Sequence, residues 1–98
     1  MIDYLKLYNL KTNDLAYIKK KFNKDIIGKF EIMENNVVSV LDYLQSIGVK
    51  DFKELILNRP DICFVDKDYL KTKLEKIDIN LIIFVIENDP QNLINFDI

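Results

Sequence analysis

This 98-residue sequence predicts an all-α fold, a short α-solenoid of two to three helical-hairpin repeats. Three observations point there. Apolar residues recur three, four and seven apart through most of the chain. Cap and stop residues follow one another at short intervals, with no Pro/Gly/Ser-rich linker between them. A shift of 30 positions lays apolar residues on apolar residues and proline on proline.

Ile2 to Tyr8 reads as a short helix with Ile2, Leu5 and Tyr8 on one face. Asn13 is placed as the next N-cap, with Asp14 in the first turn, where a negative charge meets the helix dipole favourably. Leu15, Ile18 and Phe22 form that helix's apolar stripe. The following stretch holds the apolar pair Ile26-Ile27, and Gly28 reads as a break. Asn35-Asn36 precedes a clear stripe of Val37, Val40, Leu41, Leu44 and Ile47, closed by Gly48 at the C′ position. Asp51-x-x-Glu54 has the form of a capping box and opens a helix with Phe52, Leu55 and Ile56 inward. Pro60 stops it, because the residue before a proline is pushed out of the α region. Asp66 caps a helix carrying Leu70, Leu74 and Ile77. The run Leu81-Ile82-Ile83-Phe84-Val85-Ile86 is a conflict. Its composition is that of a strand, so an α+β fold with a strand over 81–86 is the alternative. Its place in the repeat makes it a helix.

At the 30-residue shift, Leu44 falls on Leu74, Ile47 on Ile77, Val49 on Ile79 and Phe52 on Ile82. Leu55 falls on Val85, Ile56 on Ile86, and the Asn58-x-Pro60 stop on Asn88-x-Pro90. A weaker match at an offset of 39 sets Tyr4-Leu5 and Leu10 on Tyr43-Leu44 and Val49. One domain over 1–98 follows, divided into a weak N-terminal repeat 2–36 and repeats 37–66 and 67–98. A helix pair of this kind cannot bury its own apolar face and must stack on a neighbour.

Residues 40–65, VLDYLQSIGVKDFKELILNRPDICFV, resemble one repeat of the mitochondrial transcription termination factor (mTERF) family. The features carrying the likeness are Leu44, the Ile47-Gly48-Val49 turn, Leu55-Ile56, Arg59-Pro60 and the apolar residues after the proline. Residues 70–94 resemble a second, more degenerate copy, with Asp78 where the first has glycine. The resemblance implies right-handed stacks of two α-helices plus a short 3₁₀ piece, and double-stranded nucleic-acid binding on a basic concave face. The sequence departs from that family in holding only two to three units, and in the acidity of the matching part.

Composition narrows the functional classes. There is no histidine, one cysteine and two glycines, which excludes disulfide frameworks, Cys/His zinc sites, histidine bases and Gly-rich phosphate loops. Cys63 lies in an apolar context and reads as a buried small hydrophobe. Asp66, Asp68 and Glu75 superficially match a calcium loop, but the required glycine is missing and apolar residues stand at ligand positions. Asp78 reads as a turn residue in place of Gly48. No catalytic residue, metal or cofactor is assigned, and the chain is not expected to be an enzyme. The N-terminus has no signal-peptide pattern and no apolar run spans a bilayer, so a soluble, cytoplasmic protein without membrane contact is expected.

Charge is divided along the chain. Residues 1–30 hold seven lysines against three acids, and residues 31–98 hold seven bases against thirteen acids. From Ile77 onward there are four acids and no base. Two candidate sites follow. Against the polar Asp51, Lys53 and Glu54 of the first copy, the second sets Leu81, Ile83 and Phe84 on a face that should be wet. Either the tail Asn92–Ile98, through Leu93, Phe96 and Ile98, covers them, or a protein partner or a second copy of the chain does. The other candidate is Lys19, Lys20, Lys21, Lys24 and Lys29, interleaved with Tyr17, Phe22 and Phe30, which would contact nucleic-acid phosphates and bases. The bland reading of that patch is a solvated helix face with Phe22 in the core. The first expectation is a non-catalytic protein-binding adaptor, regulator or inhibitor; the alternative is mTERF-like nucleic-acid binding through the lysines.

Overall fold

A computed structural model describes all 98 residues, and the chain is helical from end to end with no strand. Six α-helices run in order: α1 (Thr12–Lys21), α2 (Lys24–Ile32), α3 (Glu34–Ser46), α4 (Lys53–Asn58), α5 (Lys67–Leu74) and α6 (Ile79–Asn88). Three 3₁₀ helices join them: η1 (Asp3–Tyr8), η2 (Pro60–Phe64) and η3 (Pro90–Phe96). None is long and apolar enough to cross a membrane.

The first segment is 3₁₀ rather than α because Ile2, Leu5 and Tyr8 recur every third residue, the period of that helix, and all three are buried. α1 starts two residues earlier than Asn13 predicts. Its cap is Lys11, whose N–H donates to Asp14 Oδ2 at 2.8 Å. Gly28 does not break the chain. α2 runs through it, started by Asn23, whose side chain accepts the Ile26 N–H at 3.0 Å, and anchored by fully buried Phe30.

Gly48 (φ 115°) ends α3 in a Schellman turn, with Val49 N–H donating to Leu44 C=O and Gly48 N–H to Gln45 C=O. The left-handed backbone there favours glycine, and a Cβ would stand 3.0 Å from Ile83 Cδ1, close enough that Ile83 would have to shift. The expected Asp51–Glu54 capping box is absent. Asp51 Oδ1 accepts the Lys53 N–H, and the Glu54 carboxylate is taken by Asn58 Nδ2. α4 therefore begins only at Lys53, after Phe52 has entered the core. Asp66 does cap α5, accepting the Tyr69 N–H at 3.1 Å.

The strand alternative over 81–86 fails. Asp78 accepts the Leu81 N–H at 3.0 Å and starts α6, which buries Ile82, Val85 and Ile86 along one side. Asp78, expected as a turn residue in place of Gly48, is the N-cap of α6, with φ −54° where Gly48 has φ 115°. Propensity loses here to a cap plus a buried helical stripe.

Residues just before the two prolines share one backbone conformation, φ −138° and ψ 60° at Arg59, φ −152° and ψ 60° at Asp89. α3 packs on α2, α5 and η2, while α4 packs on α6, η2 and η3. Twenty-three buried residues, from Ile2 to Leu93, form one apolar cluster. The molecule measures 34 Å along one axis and 22 Å along the other two.

Candidate functional site

α6 carries more apolar side chain than its packing uses. Ile82 and Ile86 are buried to within 1% and Val85 to within 3%, whereas Phe84 is 59% and Leu81 44% exposed. Helical spacing sets the exposed pair one turn apart, with Asn80 and Asn88 exposed beside it. Ile83 does not belong with them. It turns back, half-buried, onto Gly48 and packs against the turn inside the fold.

The tail does not cover this pair. Leu93 enters the core, while Phe96 and Ile98 are half-buried against it. Arg59 and Lys73 hold the tail in that position. Arg59 Nη2 donates to the Ile98 carbonyl at 2.7 Å and Lys73 Nζ to the Asp97 carbonyl at 2.8 Å. Phe96 and Asp97 then line a small cleft with Lys73, Lys76 and Ile77.

Glu87 and Asn36 are residues that spacing did not single out. Glu87 Oε2 accepts the backbone N–H groups of Lys50 and Asp51, at 2.8 and 3.0 Å, and so ties α6 to the turn after α3. Asn9 Nδ2 donates to the Lys50 carbonyl from the other side, at 3.3 Å. Asn36, expected ahead of α3, lies inside it. Its amide donates to the Cys63 and Val65 carbonyls, at 3.1 and 2.8 Å, and satisfies the end of η2. A sequence pattern shows none of these, because each joins residues 27 or more positions apart.

The five lysines are all exposed, and none is in an ion pair. Lys19, Lys20 and Lys21 form the last turn of α1, where positive charge suits the helix dipole, and being consecutive they fan around the axis. Lys21 lies over the ring of half-buried Phe22, and Lys29 over Phe64. Phe30, the third aromatic of the patch, is fully buried and unavailable for stacking on a base. An open groove of 460 Å³ separates α1 from α4, where exposed Tyr17 faces Leu57. Lys21 and Lys53 line it together with Asp14 and Glu54, so its charge is mixed. Asp14 is held below the usual carboxylate range by the Lys11 N–H, aided by the Lys53 ammonium 3.3 Å away.

Cys63 is wholly buried, and burial pushes its thiol up from 9.0 to about 12, the opposite of an activated nucleophile. No buried side-chain nitrogen or oxygen lacks a hydrogen-bond partner. No protein-family model, curated protein or solved structure matches this chain.

Proposed function

We propose that the chain is a non-catalytic helical-repeat binding module, working inside the cell, that holds a protein partner through Leu81 and Phe84. The observation that carries this reading is the bare α6 face. Two large apolar side chains stay in water while the tail that was free to cover them packs elsewhere. Leu81 is 44% and Phe84 59% exposed, so burying what remains of each in a complex is worth about half of the full 1.5–3 kcal/mol, roughly 1 kcal/mol apiece.

The solenoid part of the proposal rests on matched backbone. Arg59 and Asp89 share their dihedrals at the 30-residue offset, and α4 and α6 both end at its Asn-x-Pro stop. At the 39-residue offset, Asn9 (φ 69°) and Gly48 (φ 115°) are both left-handed at a helix end. The units differ in their turns, 47–52 in one and 75–78 in the other, and α6 is four residues longer than α4. That lengthening is what exposes Ile79 and Leu81 as helix. An mTERF-like stack accommodates these pairs, but its basic concave face is not reproduced beside α6.

A second reading, nucleic-acid binding, rests on the five unpaired lysines. One experiment separates the two. The wild-type chain, Leu81→Gln/Phe84→Gln and Lys19→Ala/Lys20→Ala/Lys21→Ala are used as baits in a lysate of the source cells, with and without nuclease. The protein-binding reading expects a species retained by wild type and by the lysine variant and insensitive to nuclease; a partner other than the chain itself is lost at least about tenfold with the α6 variant. Retention lost with nuclease and with the lysine variant alone contradicts it and favours nucleic acid.

A further inference from the structure

Taking the α6 reading as its basis, we infer that the occupant of the Leu81–Phe84 face is the basic N-terminal end of a second copy of this chain, joined head to tail. The two ends are complementary. The last segment, from Ile77, has four acids and no base. Asp78 and Asp89, at the two ends of α6, are in no ion pair, while Glu87 is held by the Lys50 and Asp51 N–H groups and Asp97 shares its cleft with Lys73 and Lys76. The opposite end has five exposed lysines, none of them paired either.

These groups belong to opposite ends of the packing order. α1 and α2 pack on η1 and α3, whereas α6 packs on α4 and η3, and the molecule is half again as long as it is wide. Apolar surface is bare at both ends. Leu7 and Ile32 are 74% and 87% exposed at the basic one, Leu81 and Phe84 at the acidic one. A stacked-repeat domain needs a polar cap at each end to stay single, and the α6 face with Leu81 and Phe84 is not one. A contact between unlike ends is heterologous, so it propagates rather than closing at two. Steering by opposite charge makes it sensitive to salt.

Sedimentation velocity over a concentration series tests this. Wild type is expected to gain mass with concentration beyond a dimer at about 0.1 M salt, and to weaken about tenfold or more at about 1 M, as screening shortens from ~10 to ~3 Å. Leu81→Gln/Phe84→Gln alone and Lys19→Gln/Lys20→Gln/Lys21→Gln alone should each be monomeric. Mixed, they should form a one-to-one pair, because each supplies the end the other lacks. Far-UV circular dichroism of each variant checks that it is folded, and the wild-type salt series needs no variant. Wild type that stays monomeric overturns the inference while leaving lysate retention through Leu81 and Phe84 intact. A dimer that survives in the lysine variant, with no pair restored on mixing, overturns it in favour of a two-fold contact through α6.

Discussion

Phe52→Ala is expected to remove a large part of the fold's stability. Phe52 is buried to 1%, caps α4, and meets the Tyr8 ring edge-on at 5.7 Å. It therefore joins the N-terminal segment to the middle of the core. Truncating a buried Phe costs about 3–5 kcal/mol, and the lost aromatic pair adds about 0.5–1.5 kcal/mol. A domain of this size holds only about 5–15 kcal/mol in all. The melting temperature should fall by roughly 4–8 °C for each kcal/mol lost. A melt within a few degrees of wild type would show that the Tyr8–Phe52 contact does not hold the two parts together.

Alkali should destabilise the fold in two stages. The Cys63 thiol is raised from 9.0 to about 12 by burial, with a smaller push from Asp61. Below pH 9 both folded and unfolded chains keep the proton. Above it the unfolded chain loses the proton and the folded chain does not, so stability falls as pH rises, by about 1.4 kcal/mol per unit until about 12. Tyr4 and Tyr8 add to the loss above pH 10. Their phenols are raised first by burial, and each donates a hydrogen bond that only the protonated form can make, to the Phe30 carbonyl and to Asp42 Oδ1. Denaturant midpoints measured from pH 7 to 11 should decline from pH 9 and more steeply past 10. In Cys63→Ala the decline should begin only near pH 10. A flat wild-type profile to pH 11 would contradict the burial of all three groups.

Much of the helical layout was legible in the chain. Gly48 and the two prolines mark backbone states that few other residues adopt, so their readings transfer directly to structure. The stripes around Val37–Leu44 and Leu70–Leu74 were legible because a buried face repeats at the helical period, whereas Ile77, expected on the second, lies beyond the end of α5. Misreadings fall where a local cue competes with packing. Gly28 looked like a break, yet Phe30 in the core and the Asn23 cap carry α2 through it. Asp51 looked like a cap, yet its own N–H is claimed by Glu87 from another helix. Ile83 looked equivalent to Leu81 and Phe84, because no local pattern reveals that Gly48 leaves room for it. The destination of the tail depended on Arg59 and Lys73 reaching its carbonyls, a long-range event without a periodic signature.

The claim that Leu81 and Phe84 are surface awaiting a partner is tested most directly by thermal melts of Leu81→Gln/Phe84→Gln beside Ile82→Gln. Ile82, between them in sequence, is fully buried. Ile82→Gln leaves an amide in the core and should cost about 3 kcal/mol or more, a drop of well over ten degrees. Substitutions on the exposed pair should stay within about 0.5 kcal/mol each, a shift of no more than about 4–8 °C for the double variant. A double variant that melts as low as Ile82→Gln would place Leu81 and Phe84 in the core and contradict the account.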